Sequence, residues 1–407
     1  MLLRARIVLP VSGPPIDDGA VLVVRNHVAA VGRWADLAHT HAGPAKDLGA
    51  VILLPGLVNA HCHLDYTGMT GAPEPGRFSD WIKAIVARKL LAGPADYAQA
   101  WRRGAEMLRR TGTTTVGDIE AVPELLPAAW ASTPLRVASF LEMTGVKDRL
   151  DPDEIVAAAV AKISSLHSKH SFAGLSPHAL YSTTPALLRR VAAASKNRRV
   201  TMHVAESIDE TEMCVHRRGP LFDWVKEHRD MSDCGQRTPL QQIARSGLLG
   251  ENFLAVHANY LEPADIEALA RSGSSVAHCP RSHAYFGHQP FPFKALTAAG
   301  VNICLGTDSL ASVKPTPSSE LELNMFAEMQ TFATAHPEIA SGAILQLATI
   351  NGARALGLKG MVGEITTGSF ADLIAIPYEG PKTGSENAAI QHTGPVTRAM
   401  ISGKWTQ

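Results

Sequence analysis

His61 and His63 stand two residues apart in Pro55-Gly56-Leu57-Val58-Asn59-Ala60-His61-Cys62-His63, at the exit of an apolar run. Side chains alternate along a strand, so the two imidazoles share a face and Cys62 points the other way. Such a pair can aim two nitrogens at one metal ion. Later apolar runs end in residues of the same chemistry: Pro177-His178, His203-Val204-Ala205-Glu206, His257, His278-Cys279-Pro280-Arg281-Ser282-His283 and Gly306-Thr307-Asp308-Ser309. Two further runs end less heavily loaded, at Asp118 and Glu142.

A single strand-end histidine is ordinarily a satisfied core or loop residue. The set is different, because imidazoles and carboxylates bury badly without partners, and a metal ion is their natural common partner. His61, His63 and His203 would supply nitrogens and Asp308 an oxygen, a donor set that suits zinc or ferrous iron and leaves a place for water. An ion so held lowers the pKa of water from ~16 toward ~7. Glu206, three residues past His203, is placed to shuttle protons at the mouth of the site. His257 is placed to hydrogen-bond the attacking oxygen or the tetrahedral centre.

These residues need strands to carry them. Eight apolar runs, 52–60, 113–119, 135–143, 172–180, 199–206, 253–260, 274–280 and 301–307, alternate with helical patterns such as Tyr97 to Arg110, Pro152 to Lys169, Pro185 to Lys196 and Pro263 to Ser272. Eight βα units predict an α/β fold, a (β/α)8 TIM barrel with its chemistry at the C-terminal ends of the strands. An open doubly wound sheet is the alternative, but no Gly-x-Gly-x-x-Gly follows the first strand. Both termini read as short strands. Val21–Val24 and Val28–Val31 are spaced as a hairpin, and residues 372–377 and 397–404 have the same character. The expected organisation is a small β-sandwich domain from residues 1–54 and 358–407, flanking a catalytic barrel over 55–357.

With Lys plus Arg and Asp plus Glu both at 38, the chain of 407 residues has no formal net charge, so no nucleic-acid or anionic-membrane surface is expected. No uncharged apolar run approaches the roughly 18–20 residues of a membrane helix. The start is too interrupted for a signal peptide. Five cysteines show no paired spacing; Cys62, Cys279 and Cys304 fall in predicted strands and suit reduced, buried thiols. These features point to a cytoplasmic protein acting on a small-molecule substrate. Deaminases with a Pro-Cys-x-x-Cys zinc signature are excluded, because the chain has no Cys-x-x-Cys.

Taken as an ordered set, the motifs above resemble the amidohydrolase superfamily. Thr349-Ile350-Asn351-Gly352-Ala353-Arg354-Ala355-Leu356-Gly357 and Gly368-Ser369-Phe370-Ala371-Asp372-Leu373 extend the resemblance over almost the whole chain. The similarity is to the mononuclear branch that holds S-adenosylhomocysteine/methylthioadenosine, guanine and cytosine deaminases and triazine chlorohydrolases. It implies a barrel flanked by a β-sandwich, one divalent metal on His61, His63, His203 and Asp308, proton transfer by Glu206, and assistance to the water from His257 and Asp308. Zinc is the expected ion, with iron as the alternative. Ser176-Pro177-His178-Ala179-Leu180 has no bridging Lys, which fits one metal rather than two. Homodimers are common among such relatives. The implied reaction is hydrolytic deamination of an aromatic ring: Glu206 protonates a ring nitrogen, activated water adds to the amino carbon, and ammonia leaves. The alternatives are a hydrolase of another bond, such as carbon–chlorine in a triazine or a cyclic amide, and a non-catalytic binding relative.

Substrate contacts follow from the same resemblance. His178 is nominated as a substrate-touching histidine. Adenosine-type members carry an acidic residue before a Trp in the loop after the first strand, which nominates Asp80 and Trp81; the competing reading is that Ser79 or Asp80 caps the helix that begins there. Arg281 could clamp a substrate carboxylate or phosphate, as in a deoxyfutalosine-type nucleoside, or instead pair with the Glu320/Glu322 segment. His283 and His288 read as supporting or loop residues. His39, His41, His216 and His228 read as solvent-facing.

Overall fold

The computed structural model describes residues 1–70, 76–146, 151–314 and 321–406. Eight parallel strands follow one another in chain order: Leu57–Cys62, Thr113–Glu120, Arg136–Met143, Phe172–Pro177, Val200–Val204, Phe253–His257, Ser275–His278 and Asn302–Leu305. They are almost wholly buried, as strands covered on both faces must be. The predicted helices form between them, each opening on a proline that needs no amide partner in the first turn: Pro94–Arg110, Pro152–Ser165, Pro185–Ala194 and Pro263–Ser272.

The barrel closes between its first and last strands through the loop after the eighth. The Asp308 amide donates to the His61 carbonyl at 3.1 Å and the His63 amide donates to the Asp308 carbonyl at 3.2 Å. Beneath them the Asn59 side chain donates to Thr307 Oγ1 at 2.7 Å and accepts from the Thr307 amide at 3.0 Å. Gly306 is required at this seam, because a Cβ there would lie 2.8 Å from the His61 carbonyl oxygen.

A separate mixed sheet is built from both termini. Its strands are Leu2–Val8, Ile16–Val24, His27–Arg33, Ala45–Asp47 and Val51–Pro55 from the N-terminal side, and Leu373–Pro377, Arg398–Ile401 and Lys404–Trp405 from the C-terminal side. Val51–Pro55 and Leu373–Pro377 pair antiparallel, so the two chain ends meet directly. The apolar run 52–60, expected as one strand, is two strands in two sheets. The break falls at Gly56, whose amide donates to the Asp372 carbonyl at 2.9 Å and whose missing Cβ would strike Thr114. All five cysteines are buried and unpaired. No helix among the described residues is long and apolar enough to cross a membrane.

Candidate active site

The strand exits deliver His61, His63, His203, His257, Glu206 and Asp308 to one buried cluster. His61 comes from the first strand and His63 from the residue just after it, His203 from the fifth, His257 from the sixth and Asp308 from the loop after the eighth. Each exposes 5% or less of its surface. His61 Nε2 lies 3.5 Å and His63 Nε2 3.8 Å from Asp308 Oδ1, and the Nε2 atoms of His63 and His203 are 3.1 Å apart. Three overlapping triads, His61/His63/Asp308, His61/His203/His257 and Glu206/His257/Asp308, each keep their donor atoms within 4.8 Å.

Local backbone strain aims these side chains. Ala205, His257, Ala258 and Asp308 all take positive φ, between 48° and 69°, at the ends of the fifth, sixth and eighth strands. Non-glycine residues adopt this region at a cost of order 1–3 kcal/mol each, so the surroundings must hold them. The Ala258 amide donates to the Val204 carbonyl at 2.9 Å, and the Asn259 side chain donates to the Glu206 carbonyl at 2.9 Å. The Glu206 amide donates to the buried Glu210 carboxyl at 2.9 Å.

The electrostatics favour neutral imidazoles. Burial, with His61 beside it, holds His63 well below its ordinary pKa; burial and the surrounding imidazoles do the same for His203. Burial takes His257 down to about 3. Burial alone would raise Asp308, but the imidazoles of His61, His257 and His63 hold it well below the usual carboxylate range. Glu206 behaves oppositely: burial, reinforced by Asp308 and Glu210, pushes it well up, and His257 Nε2 lies 3.4 Å from its Oε1. Two nitrogens of the cluster, His61 Nε2 and His257 Nε2, are buried without a hydrogen-bond partner. Buried imidazole nitrogens facing one carboxylate, two of them without a hydrogen-bond partner, fit a cation.

Beside this cluster lies a cavity of about 460 Å³, lined by His178, Glu142, Lys89, Tyr66, Tyr181 and a wall of aliphatic side chains. His178 therefore stands between cluster and cavity: its carbonyl accepts from His203 Nδ1 at 2.9 Å. Lys89 and Tyr66 join the site without belonging to any of the sequence motifs. Lys89 Nζ donates to Glu142 at 3.0 Å and to Tyr66 Oη at 3.1 Å, and the Tyr66 ring stacks on His63 with centroids 4.6 Å apart. A signal was present: Phe78, Ile82, Ile85 and Lys89 lie on one helical face, so Lys89 is a cation on an otherwise apolar stripe. Burial would raise Glu142, but Lys89 overrides it and takes the carboxyl to about 2.

Three nominated substrate contacts lie elsewhere. Asp80 is on the outer face of helix Phe78–Lys89, with its side chain 73% exposed and 3.9 Å from Lys83. Trp81 faces inward but is absorbed in packing: its indole donates to the Ala311 carbonyl at 3.0 Å, among Phe78 and Phe286. Neither Ser79 nor Asp80 caps that helix. Asp209 does so from another element, accepting from the Ser79 amide at 3.1 Å and from Arg77 Nε at 3.2 Å. Arg281 turns away from the cavity. It donates to the Glu322 carbonyl at 2.8 Å through Nη1, and its amide donates to buried Glu328 at 2.9 Å. The pairing expected with Glu322 is thus to its backbone, and Glu322's carboxylate pairs with Arg110; Glu320 lies outside the described residues. His283 and His288 bond the Gln289 carbonyl and Tyr260 Oη. His39, His216 and His228 are exposed and His41 half-buried, and His228 also lines the cavity.

A model of the amidohydrolase family matches residues 52–406. The chain is 30% identical to a 5-methylthioadenosine/S-adenosylhomocysteine deaminase of Nitratidesulfovibrio vulgaris, the match covering 96% of this chain and 87% of that protein. It is also 30% identical to an aminodeoxyfutalosine deaminase of Deinococcus radiodurans, over 88% and 85% of the two chains. Among solved structures, a zinc-bound adenosine deaminase from Xanthomonas campestris superposes with a TM-score of 0.85 at 27% identity, over 99% of this chain and 92% of that one.

Proposed function

The chain belongs to the amidohydrolase family, and from that premise we propose that it is a metal-dependent hydrolase that deaminates an amino-purine nucleoside or related N-heterocycle and releases ammonia. The relatives named above support an adenosine derivative as substrate. The observation that carries the reading is the convergence of His61, His63, His203 and Asp308 in one buried cluster, with His61 Nε2 left without a hydrogen-bond partner. These four residues would hold one divalent ion, with zinc proposed first and iron as the alternative. When bound, the ion supplies water activation at neutral pH.

The chain's own residues do the rest. Glu206, kept protonated by burial and by Asp308 and Glu210, gives its proton to a ring nitrogen beside the amino carbon. That withdrawal makes the carbon open to attack by water. Glu206 and Asp308 then carry protons from the water to the departing amine, which leaves as ammonia. His257, neutral in this setting, hydrogen-bonds the attacking oxygen. His178, at the boundary of cluster and cavity, contacts the substrate. The unpaired thiols support a reducing compartment, and the cytoplasm is the proposed location. A panel of methylthioadenosine, S-adenosylhomocysteine, aminodeoxyfutalosine, adenosine, guanine, cytosine and a chlorotriazine, read by ammonia and chloride release, tests the reaction. Ammonia from an adenosine derivative supports it; chloride alone, or no product with metal bound, sinks it.

A further inference from the structure

A second cleft, of about 450 Å³, opens between helices Pro185–Ala194 and Pro239–Ser246. Arg189, Arg237 and Arg245 line it. Arg189 and Arg245 are exposed and Arg237 is half-buried. Among the described residues none of the three pairs with a carboxylate, and Arg237 reaches only the Gln236 side chain, at 3.5 Å. The acid that lines the cleft, Asp233, is already neutralised. Both of its oxygens accept from the buried Arg229 guanidinium at 2.6 Å. Three cations with free N–H groups thus share one concave surface, where they repel one another unless an anion enters. The Gln242 side chain also lines the cleft and is nine-tenths buried. Its Nε2 donates to the Arg237 carbonyl at 3.5 Å, and its Oε1 has no partner. A buried amide oxygen is costly unless a donor reaches it. The cleft therefore calls for an anion that also carries a hydrogen-bond donor. It is separate from the catalytic cavity: Leu180 belongs to its wall, whereas Tyr181 and Ser182 line the cavity, so the short turn Leu180–Ser182 stands between the two.

We propose that this cleft binds a sugar phosphate, free or as part of a nucleotide, with the phosphate on the arginines and a sugar hydroxyl donating to Gln242 Oε1. Phosphate suits the arginines better than carboxylate does. A phosphate ester offers several acceptor oxygens and about two negative charges near neutral pH, enough for guanidinium groups arriving from two helices and a loop. A carboxylate is filled by a single guanidinium fork. The ligand is distinct from the substrate, and the assignment stands independently of the deaminase reading.

Calorimetric titration of the metal-loaded enzyme tests it, with ribose 5-phosphate, uridine 5′-monophosphate, methyl phosphate and succinate as probes. Ribose 5-phosphate should bind one site per chain and should stay bound when methylthioadenosine is saturating. Methyl phosphate, which lacks the hydroxyl, and succinate, which lacks the phosphate, should each bind at least about 10-fold more weakly. These arms need no variant. The double change Arg189→Ala and Arg245→Ala touches two exposed side chains without partners, so folding and basal deamination should be unaltered while ribose 5-phosphate binding weakens by about 100-fold or more. Gln242→Leu should weaken ribose 5-phosphate by roughly 10-fold and leave methyl phosphate unchanged. Uridine 5′-monophosphate binding as well as ribose 5-phosphate would assign the cleft to nucleotides; ribose 5-phosphate alone would assign it to free sugar phosphates. No binding of ribose 5-phosphate at about 1 mM, binding that survives the double change, equal binding of methyl phosphate, or displacement by methylthioadenosine would overturn the proposal.

Discussion

The Nε2 atoms of His63 and His203 lie 3.1 Å apart with their rings stacked at 16°. His203 commits Nδ1 to the His178 carbonyl, so its Nε2 carries a lone pair aimed into the cluster. Burial keeps both rings neutral, and a neutral imidazole is the form that ligates a metal. Replacing His203 by Ala should therefore abolish metal retention and activity together. Metal analysis after dialysis should fall from about one ion per chain toward zero, with ammonia release falling in parallel. A variant that keeps both would remove His203 from the ligand set.

Glu206→Gln separates binding from proton transfer. The amide keeps the size of the side chain but cannot exchange a proton. Metal content should stay at the wild-type level, and kcat should fall by roughly 10²–10⁴-fold. Loss of the metal instead would make Glu206 a ligand rather than a proton carrier.

The strand exits were legible in the sequence because period-two alternation and burial put their polar residues on one face. His61, His203 and His257 needed only the strand pattern to be placed, while His63 and Asp308 stand just past the ends of their strands. Side-chain direction on a helix depends on packing, and there sequence reading failed. Asp80 and Trp81 are neighbours on helix Phe78–Lys89, yet one faces solvent and the other the core. Lys89 enters the site from the last turn of that helix, seven residues beyond Ile82, where no motif marks it. The split at Pro55-Gly56 was hidden too, since two apolar strands of different sheets read as one run when only a tight turn parts them.

Arg281 is a structural partner of Glu328, and its replacement should show as instability. Glu328 is fully buried, and burial pushes it to about 8 even with Arg281 beside it. Arg281→Ala keeps the backbone amide on Glu328 but removes the guanidinium 3.6 Å from that carboxyl and the donor to the Glu322 carbonyl, and should lower stability by about 1–3 kcal/mol in denaturant unfolding. The ratio of kcat/KM for carboxylated and uncharged nucleosides should not change. A selective loss on carboxylated nucleosides would restore the clamp. Asp80→Ala, by contrast, should move stability by no more than about 0.5 kcal/mol and leave activity unchanged.

Glu142 links the cavity to acid stability. Its folded pKa, about 2, lies below the ordinary 4.5 because Lys89 outweighs burial. A depressed carboxyl contributes stability that is full above its unfolded pKa and is lost as pH falls through the folded one. Unfolding midpoints should thus drop between about pH 4.5 and pH 2, and Glu142→Gln should flatten that portion of the curve. An unchanged slope in the variant would show that Glu142 is not the group responsible.

The central claim is a metal-dependent deamination, and chelation followed by reloading tests it most directly. Protein stripped of metal should release no ammonia from methylthioadenosine; one equivalent of zinc or ferrous iron should restore it, with no further gain from a second. Full ammonia release by metal-free protein, or none from reloaded protein on any adenosine derivative, would contradict the account.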